Sequence, residues 1–139
     1  MAGEPEDIHA ILHGGRTIAV VGLSPRPGRD SHRVARYMQQ QGWRIVPVNP
    51  MAAGQTILGE PVYASLAQAA CAARIDLVNC FRNSADIPPI VDEAIAIGAP
   101  ALWLQLGVQH EAAAARARAA GLRVVQNRCL MIDHAQAHA

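Results

Sequence analysis

A chain of 139 residues, 51% of them hydrophobic, is long enough to bury roughly 70% of the surface it exposes when unfolded. A formal net charge of +1 removes the electrostatic footprint of a dedicated nucleic-acid binder, and no apolar run reaches the length of about 18 residues that a transmembrane helix needs. All 12 basic side chains other than histidine are arginine, which excludes a P-loop phosphate lysine, Schiff-base catalysis and lysine-bound pyridoxal chemistry, since each needs a titratable amine.

The N-terminal stretch MAGEPEDIHAILHGG is acidic and has no apolar core, so it does not read as a secretory signal. The 3 cysteines, Cys71, Cys80 and Cys129, are widely spaced and odd in number, which reads as free thiols in a reducing cytoplasm.

In chain order, Glu4 to Leu12 predicts a short helix, with Ile8, Ile11 and Leu12 at helical spacing and Gly14-Gly15 ending it. Thr17 to Val21 is apolar and largely β-branched, as expected of a parallel strand covered on both faces. Gly22 ends that strand, and Ser24 to Asp30 is loop by its Pro, Gly and Arg content. Asp30 or Ser31 is placed to cap a helix running to Gln41, with Val34, Tyr37 and Met38 on one face. Arg44 to Val48 is a second strand closed by Asn49-Pro50, and Met51 to Gly59 is loop. Glu60 to Tyr63 reads as a short edge strand, where Pro61 is tolerated, and Ser65 caps an Ala-rich helix ending near Ala73.

Ile75 to Cys80 is another buried strand. Pro88 and Pro89 suit the first turn of a helix whose Ile90, Val91, Ala94 and Ile95 face inward. A strand over Ala101 to Gln105, a helix over Glu111 to Ala120 and a strand over Arg123 to Gln126 complete the pattern, leaving a short tail after Cys129. This alternation predicts one domain over residues 1–139. It is a three-layer α/β/α Rossmann-like fold with a parallel sheet of five or six strands and the helix of residues 1–15 packed on it.

Right-handed crossovers place the early strands on one side of the first strand and the later ones on the other. Ligands of such sheets bind beyond the carboxyl ends of the strands, where the order reverses. There the turn after Val21 aims free backbone N–H groups and a positive helix end upward, and Arg26, Arg29 and Arg33 surround it with charge. An anion belongs at that point, and phosphate is the natural one. Asn49-Pro50 and Phe81-Arg82 close the same crevice from two sides.

A dinucleotide fold carries G-x-G-x-x-G in its first turn and an acidic residue at the end of the second strand. Here the turn reads Gly22-Leu23-Ser24-Pro25-Arg26-Pro27-Gly28 and the strand ends Val48-Asn49-Pro50, without a carboxylate. Ordinary NAD is disfavoured. Arginines without an acidic ribose clamp fit a ligand with additional phosphate, NADP or coenzyme A, and the local chemistry leaves both open.

VGLSPRPGRDSHRVARY from Val21, GWRIVPVNP from Gly42, LGEPVYASL from Leu58, FR at Phe81, EAIAIGA from Glu93, LWLQLGV from Leu102 and RCLM from Arg128 occur in this order. Together they resemble the single-domain CoA-binding protein family. Its fold is also that of the CoA-binding domain in succinyl-CoA ligase α subunits and ADP-forming acyl-CoA synthetases. The resemblance implies a domain that holds CoA by its adenosine and phosphates. By position, Gly22, Leu23 and Ser24 would approach the pyrophosphate with their backbone, and Arg29, Ser31 and Arg26 would contact phosphate. Asn49 and Pro50 would border the adenine or ribose, and Phe81 and Arg82 would line the opposite wall. The synthetases' phosphorylated-histidine and nucleotide-activating domains have no counterpart in this sequence, so acyl-CoA synthesis by it alone is not expected.

Several residues have plainer readings. Arg82 is spaced to pair with Asp86, Trp103 reads as core, His32 as surface, and Arg116 and Arg118 as a solvated helix face. Gln105, at a strand end, is open between core and site. Cys129, His110 and His134 match no zinc spacing, no catalytic constellation is legible, and Cys129 reads as a partly reactive thiol near the crevice. The expectation is therefore a cytoplasmic protein that binds CoA or acyl-CoA without catalysis, without nucleic acid and without a membrane. An NADP-dependent reductase working near Gln105 and His110 stands beside it, as does a regulatory subunit that binds a protein partner. Homodimerisation is left open.

Overall fold

The computed structural model describes residues 3–139. The chain runs α1 (Glu4–Gly14), β1 (Thr17–Val21), α2 (Asp30–Gln40), β2 (Arg44–Val48), β3 (Thr56–Ile57), β4 (Glu60–Pro61) and α3 (Leu66–Ala72). It continues β5 (Leu77–Cys80), α4 (Ile87–Ala96), β6 (Ala101–Leu104), α5 (Glu111–Ala119), β7 (Arg123–Val125) and α6 (Leu130–Ala137). Five strands form one parallel sheet in the order β2-β1-β5-β6-β7. The order reverses between β1 and β5, which opens a crevice beyond their carboxyl ends.

Alternation along each strand assigns the two faces. Ile18 and Val20 of β1 join Trp103 of β6 against Met38 of α2, Leu12 of α1 and Leu130 of α6. Ala19 and Val21 point the other way, to a core completed by α3, α4 and α5. That second layer packs closely because α5 buries only alanines, Ala113, Ala114 and Ala117. Among the described residues no helix is long and apolar enough to cross a membrane.

Four elements depart from the sequence reading. Residues after Cys129 form helix α6 rather than a tail, and its inward face carries the buried polar pair Asp133 and His134, which interrupts the apolar stripe that periodicity relies on. The stretch read as loop from Met51 to Gly59 contains β3, paired antiparallel with β4. The edge strand read over Glu60 to Tyr63 shrinks to Glu60–Pro61, with Tyr63 bridging separately to Val48. Residue Arg29, not Asp30 or Ser31, occupies the cap position of α2, and it does so without a side-chain bond.

Helix α6 is held by polar contacts as much as by packing. Arg128 pairs with Asp133 through two hydrogen bonds of 2.7 and 2.8 Å and with Glu4 at 3.6 Å, tying α6 to α1. His134 shares a hydrogen bond of 2.9 Å with the Tyr37 hydroxyl of α2. Its ring stacks on His138, which stacks on His13, which stacks on His9. Burial depresses the His134 pKa first, and the neighbouring charges of His138 and His13 depress it further. Burial lowers His32 as well, with Arg36 adding to it.

A histidine whose folded pKa lies below its unfolded value of about 6.5 keeps its full stabilising contribution above that pH and loses it as acidity approaches the folded pKa. Unfolding free energy, measured by urea titration, should therefore decline between pH 7 and pH 5. The decline should be shallower in His134→Gln. A flat profile in the wild-type protein would show that the imidazole column is neutral to stability.

Candidate functional site

The crevice is built where β1, β2, β5 and β6 end. Gly22 closes β1 with φ of 86°, donating its N–H to Val48 O of β2 at 2.8 Å. Immediately beside it, Phe81 N donates to Val21 O at 2.9 Å. The approach is so close that a Cβ on Gly22 would lie 2.5 Å from Phe81 O. Only glycine fits this position.

From Gly22 the chain rises as a loop that organises itself. Ser24 N donates to Ser31 Oγ at 3.0 Å, and Arg26 N donates to Ser24 Oγ at 3.1 Å. Asn49, at the end of β2, donates through Nδ2 to Leu23 O at 3.0 Å and accepts from Met51 N at 3.0 Å. These bonds leave Ser31 and Asn49 working as braces for the loop. Leu23 is fully buried, with its carbonyl oxygen taken by Asn49.

Between the braced loop and Phe81 lies a cavity of about 480 Å³ lined by Gly22, Ser24, Gly28, Arg29, Asp30, Ser31 and Phe81. The first turn of α2 opens onto it, so unpaired N–H groups and the positive end of an 11-residue helix face the space. Among the described residues neither Arg26 nor Arg29 forms an ion pair, whereas Arg33 is paired with Asp30 and Arg82 with Asp86 at 3.5 Å. The free guanidinium of Arg29 beside a helix N-terminus suits this space to a multiply charged anion.

A second cavity, of about 540 Å³, adjoins the first and shares Asp30 and Phe81 with it. Arg82 and Cys129 line this one, together with Leu106, Met131 and Ile132, which the sequence does not single out. Met131 and Ile132 escape notice because they stand on α6, the helix hidden by its buried polar face. Leu23, Arg26, Asn49 and Pro50 line neither cavity.

Other candidate groups are engaged elsewhere. His110 Nδ1 accepts from Ala113 N at 3.1 Å and so caps α5. Trp103 is fully buried and donates through Nε1 to Arg128 O at 2.8 Å, fixing the loop before α6. Arg116 is held by Asp92 at 3.0 Å and Pro88 O, and Arg118 donates to Val124 O, so the two are more than a solvated face. Contrary to the surface reading, His32 is buried, because the inward face of α2 extends to its first turn. Burial pushes the Cys80 thiol up to about 12, which makes this last residue of β5 an inert packing group. Among the described residues no group of His, Cys, Asp and Glu is arranged to hold a metal ion.

A family profile described as CoA binding domain matches residues 16–135. The uncharacterized protein YneT of Bacillus subtilis (strain 168) is 38% identical over 129 residues, covering 93% of each chain. A hypothetical protein from Pyrococcus horikoshii OT3 is 33% identical with a TM-score of 0.89, covering 99% of this chain and 94% of the other. The cell-free ID.343 protein of Thermus thermophilus is 32% identical with a TM-score of 0.87, covering 96% of this chain and 98% of the other. More distantly, the fold alone is shared with the dinucleotide-forming acetyl-coenzyme A synthetase 1 of Ca. Korarchaeum cryptofilum, at 20% identity and a TM-score of 0.71 over 85% of this chain and 27% of that one. It is likewise shared with RSP in complex with β-NADH, at 14% and 0.56 over 88% and 57%.

Proposed function

The chain belongs to the CoA-binding domain family, and from that premise we propose that it binds coenzyme A or an acyl-CoA at the crevice between β1 and β5. The observation that carries this reading is the cavity under the Ser24–Ser31 loop, where the start of α2 and the unpaired side chain of Arg29 face the same space. In this reading the pyrophosphate sits against the backbone of Gly22, Leu23 and Ser24 and the first turn of α2. Arg29 forms charge-assisted bonds to it, and the exposed Arg26 of the same loop meets the additional phosphate. Asn49 and Pro50 border the adenosine, and Phe81 and Arg82 separate the phosphates from the second cavity.

The reading is of binding without chemistry of its own. Asp30 and Asp86, the carboxylates bordering the cavities, are each paired with an arginine, and His110 is occupied in capping α5. Neither acid is placed as a free base. The ribose clamp expected of a nicotinamide enzyme is replaced by Asn49, both of whose polar ends are bonded within the protein.

Calorimetric titration with CoA, 3′-dephospho-CoA and NADPH tests this directly. Micromolar CoA binding, weakened for the dephospho form and absent for NADPH, is the expected result. Binding of NADPH alone would overturn the proposal in favour of a reductase, and binding of none of the three would place the ligand outside this class.

A further inference from the structure

The second cavity has a chemistry that the phosphate-binding reading does not use. Six of its lining residues are apolar, Val34 of α2, Phe81, Leu106 and Val108 from the strand-end loops, and Met131 and Ile132 of α6, and Asn83, Gln105 and Cys129 join them with four charged side chains. Leu106 and Ile132 are 64% and 50% exposed, although both are large and apolar. The charged groups at the rim satisfy one another, Arg33 with Asp30 and Arg82 with Asp86. A polar ligand arm would find few partners inside it.

One polar atom in the wall is different. Gln105 lines the cavity and is only 6% exposed. Its Oε1 accepts from Asn79 Nδ2 at 3.3 Å and from Leu130 N at 3.3 Å. Both partners can only donate, so the amide is fixed in this orientation. Its Nε2 is left without a partner among the described residues. The one buried side-chain polar atom without a partner among the described residues is His32 Nδ1, so Gln105 Nε2 keeps access to the cavity, where an acceptor supplied by a ligand would meet it.

We infer that this cavity receives the acyl group of a CoA thioester, with the thioester carbonyl oxygen accepting from Gln105 Nε2 and an aliphatic chain lying along Leu106, Met131 and Ile132. The inference rests on the CoA reading above and narrows it from CoA in general to acyl-CoA. The cavity adjoins the phosphate site through Phe81, so one ligand can span both.

The test is calorimetric titration of the full chain with CoA, acetyl-CoA and hexanoyl-CoA, repeated on Gln105→Glu and Ile132→Ser. The glutamate keeps an oxygen for Asn79 and Leu130 but removes the donor, while Ile132 is exposed enough for serine to leave the fold intact. Each fully buried methylene is worth about fourfold in affinity, and the open mouth reduces that, so hexanoyl-CoA should bind about tenfold more tightly than CoA. Both substitutions should lower the hexanoyl-to-free ratio at least about threefold, with melting curves confirming that the variants fold. Equal affinity for CoA and hexanoyl-CoA would overturn the inference and leave the CoA reading standing. Failure of every CoA species to bind would overturn that reading itself. Equal weakening of CoA and hexanoyl-CoA by Gln105→Glu would remove the thioester carbonyl as the partner of Nε2.

Discussion

Replacing Gly22 by alanine should cost at least about 3 kcal/mol of stability, lowering the melting temperature by roughly 10 °C, and should abolish CoA binding. Two effects add. The residue has φ of 86°, a conformation that charges an L side chain about 1–2 kcal/mol. The new Cβ would also lie 2.5 Å from Phe81 O and 3.0 Å from Arg82 Cδ, and the first of these is backbone. Phe81 cannot give way cheaply, because its N–H is bonded to Val21 O and so carries the pairing of β1 with β5. Relief of the clash would part the two strands at the place where the crevice opens. Gly28→Ala is the internal comparison, since nothing lies within 4 Å of its Cβ and its φ is not in the left-handed range. It should change stability by less than about 0.5 kcal/mol. Thermal unfolding followed by circular dichroism distinguishes the two. A Gly22→Ala protein melting within a degree or two of wild type would refute the close-approach argument.

The same residue shows why the fold was legible in the sequence. A strand of β-branched residues, a glycine, and a loop of Pro, Gly and Arg before an amphipathic helix have one economical arrangement, and the strands after it repeat the pattern. Strand order followed from handedness rather than from any residue. Besides the two-residue β3–β4 pair, too short to show a period, much of what was not legible shares one physical feature, polar groups inside the protein. Asp133 and His134 break the apolar period of α6, so the helix that walls the second cavity read as a tail. His32 sits beside the Arg-rich phosphate loop and reads as surface, yet its Nδ1 lies buried without a partner among the described residues. Gln105 sits at a strand end, where sequence cannot decide between core and site, and the structure gives it both roles by bonding one end of its amide and leaving the other free. Ser31 and Asn49 were read as ligand contacts from their positions. Hydrogen bonding within the loop shows them bracing it, a function equally consistent with those positions.

Arg29→Ala should weaken CoA binding at least about tenfold while leaving stability within about 0.5 kcal/mol of wild type, because the side chain is exposed and makes no ion pair among the described residues. A charge-assisted bond to phosphate is worth about 1.5–3 kcal/mol, and the backbone of Gly22 to Ser24 would still hold the pyrophosphate. Loss should therefore be partial. Charge reversal by Arg29→Glu should lose more, since a carboxylate would then stand with Asp30 at the mouth of the anion cavity. Salt provides the second readout. Two exposed cations contribute a screened attraction, so raising ionic strength should weaken CoA binding to the wild-type protein more steeply than to Arg29→Ala. Arg33→Ala separates local pairing from ligand contact: it releases Asp30 from its partner, leaving an uncompensated negative charge beside the phosphates. It should weaken CoA even though the native Arg33 is committed to Asp30. If Arg29→Ala binds CoA as wild type does, with the same salt dependence, then the helix N-terminus and loop backbone hold the phosphates by themselves and Arg29 is outside the site.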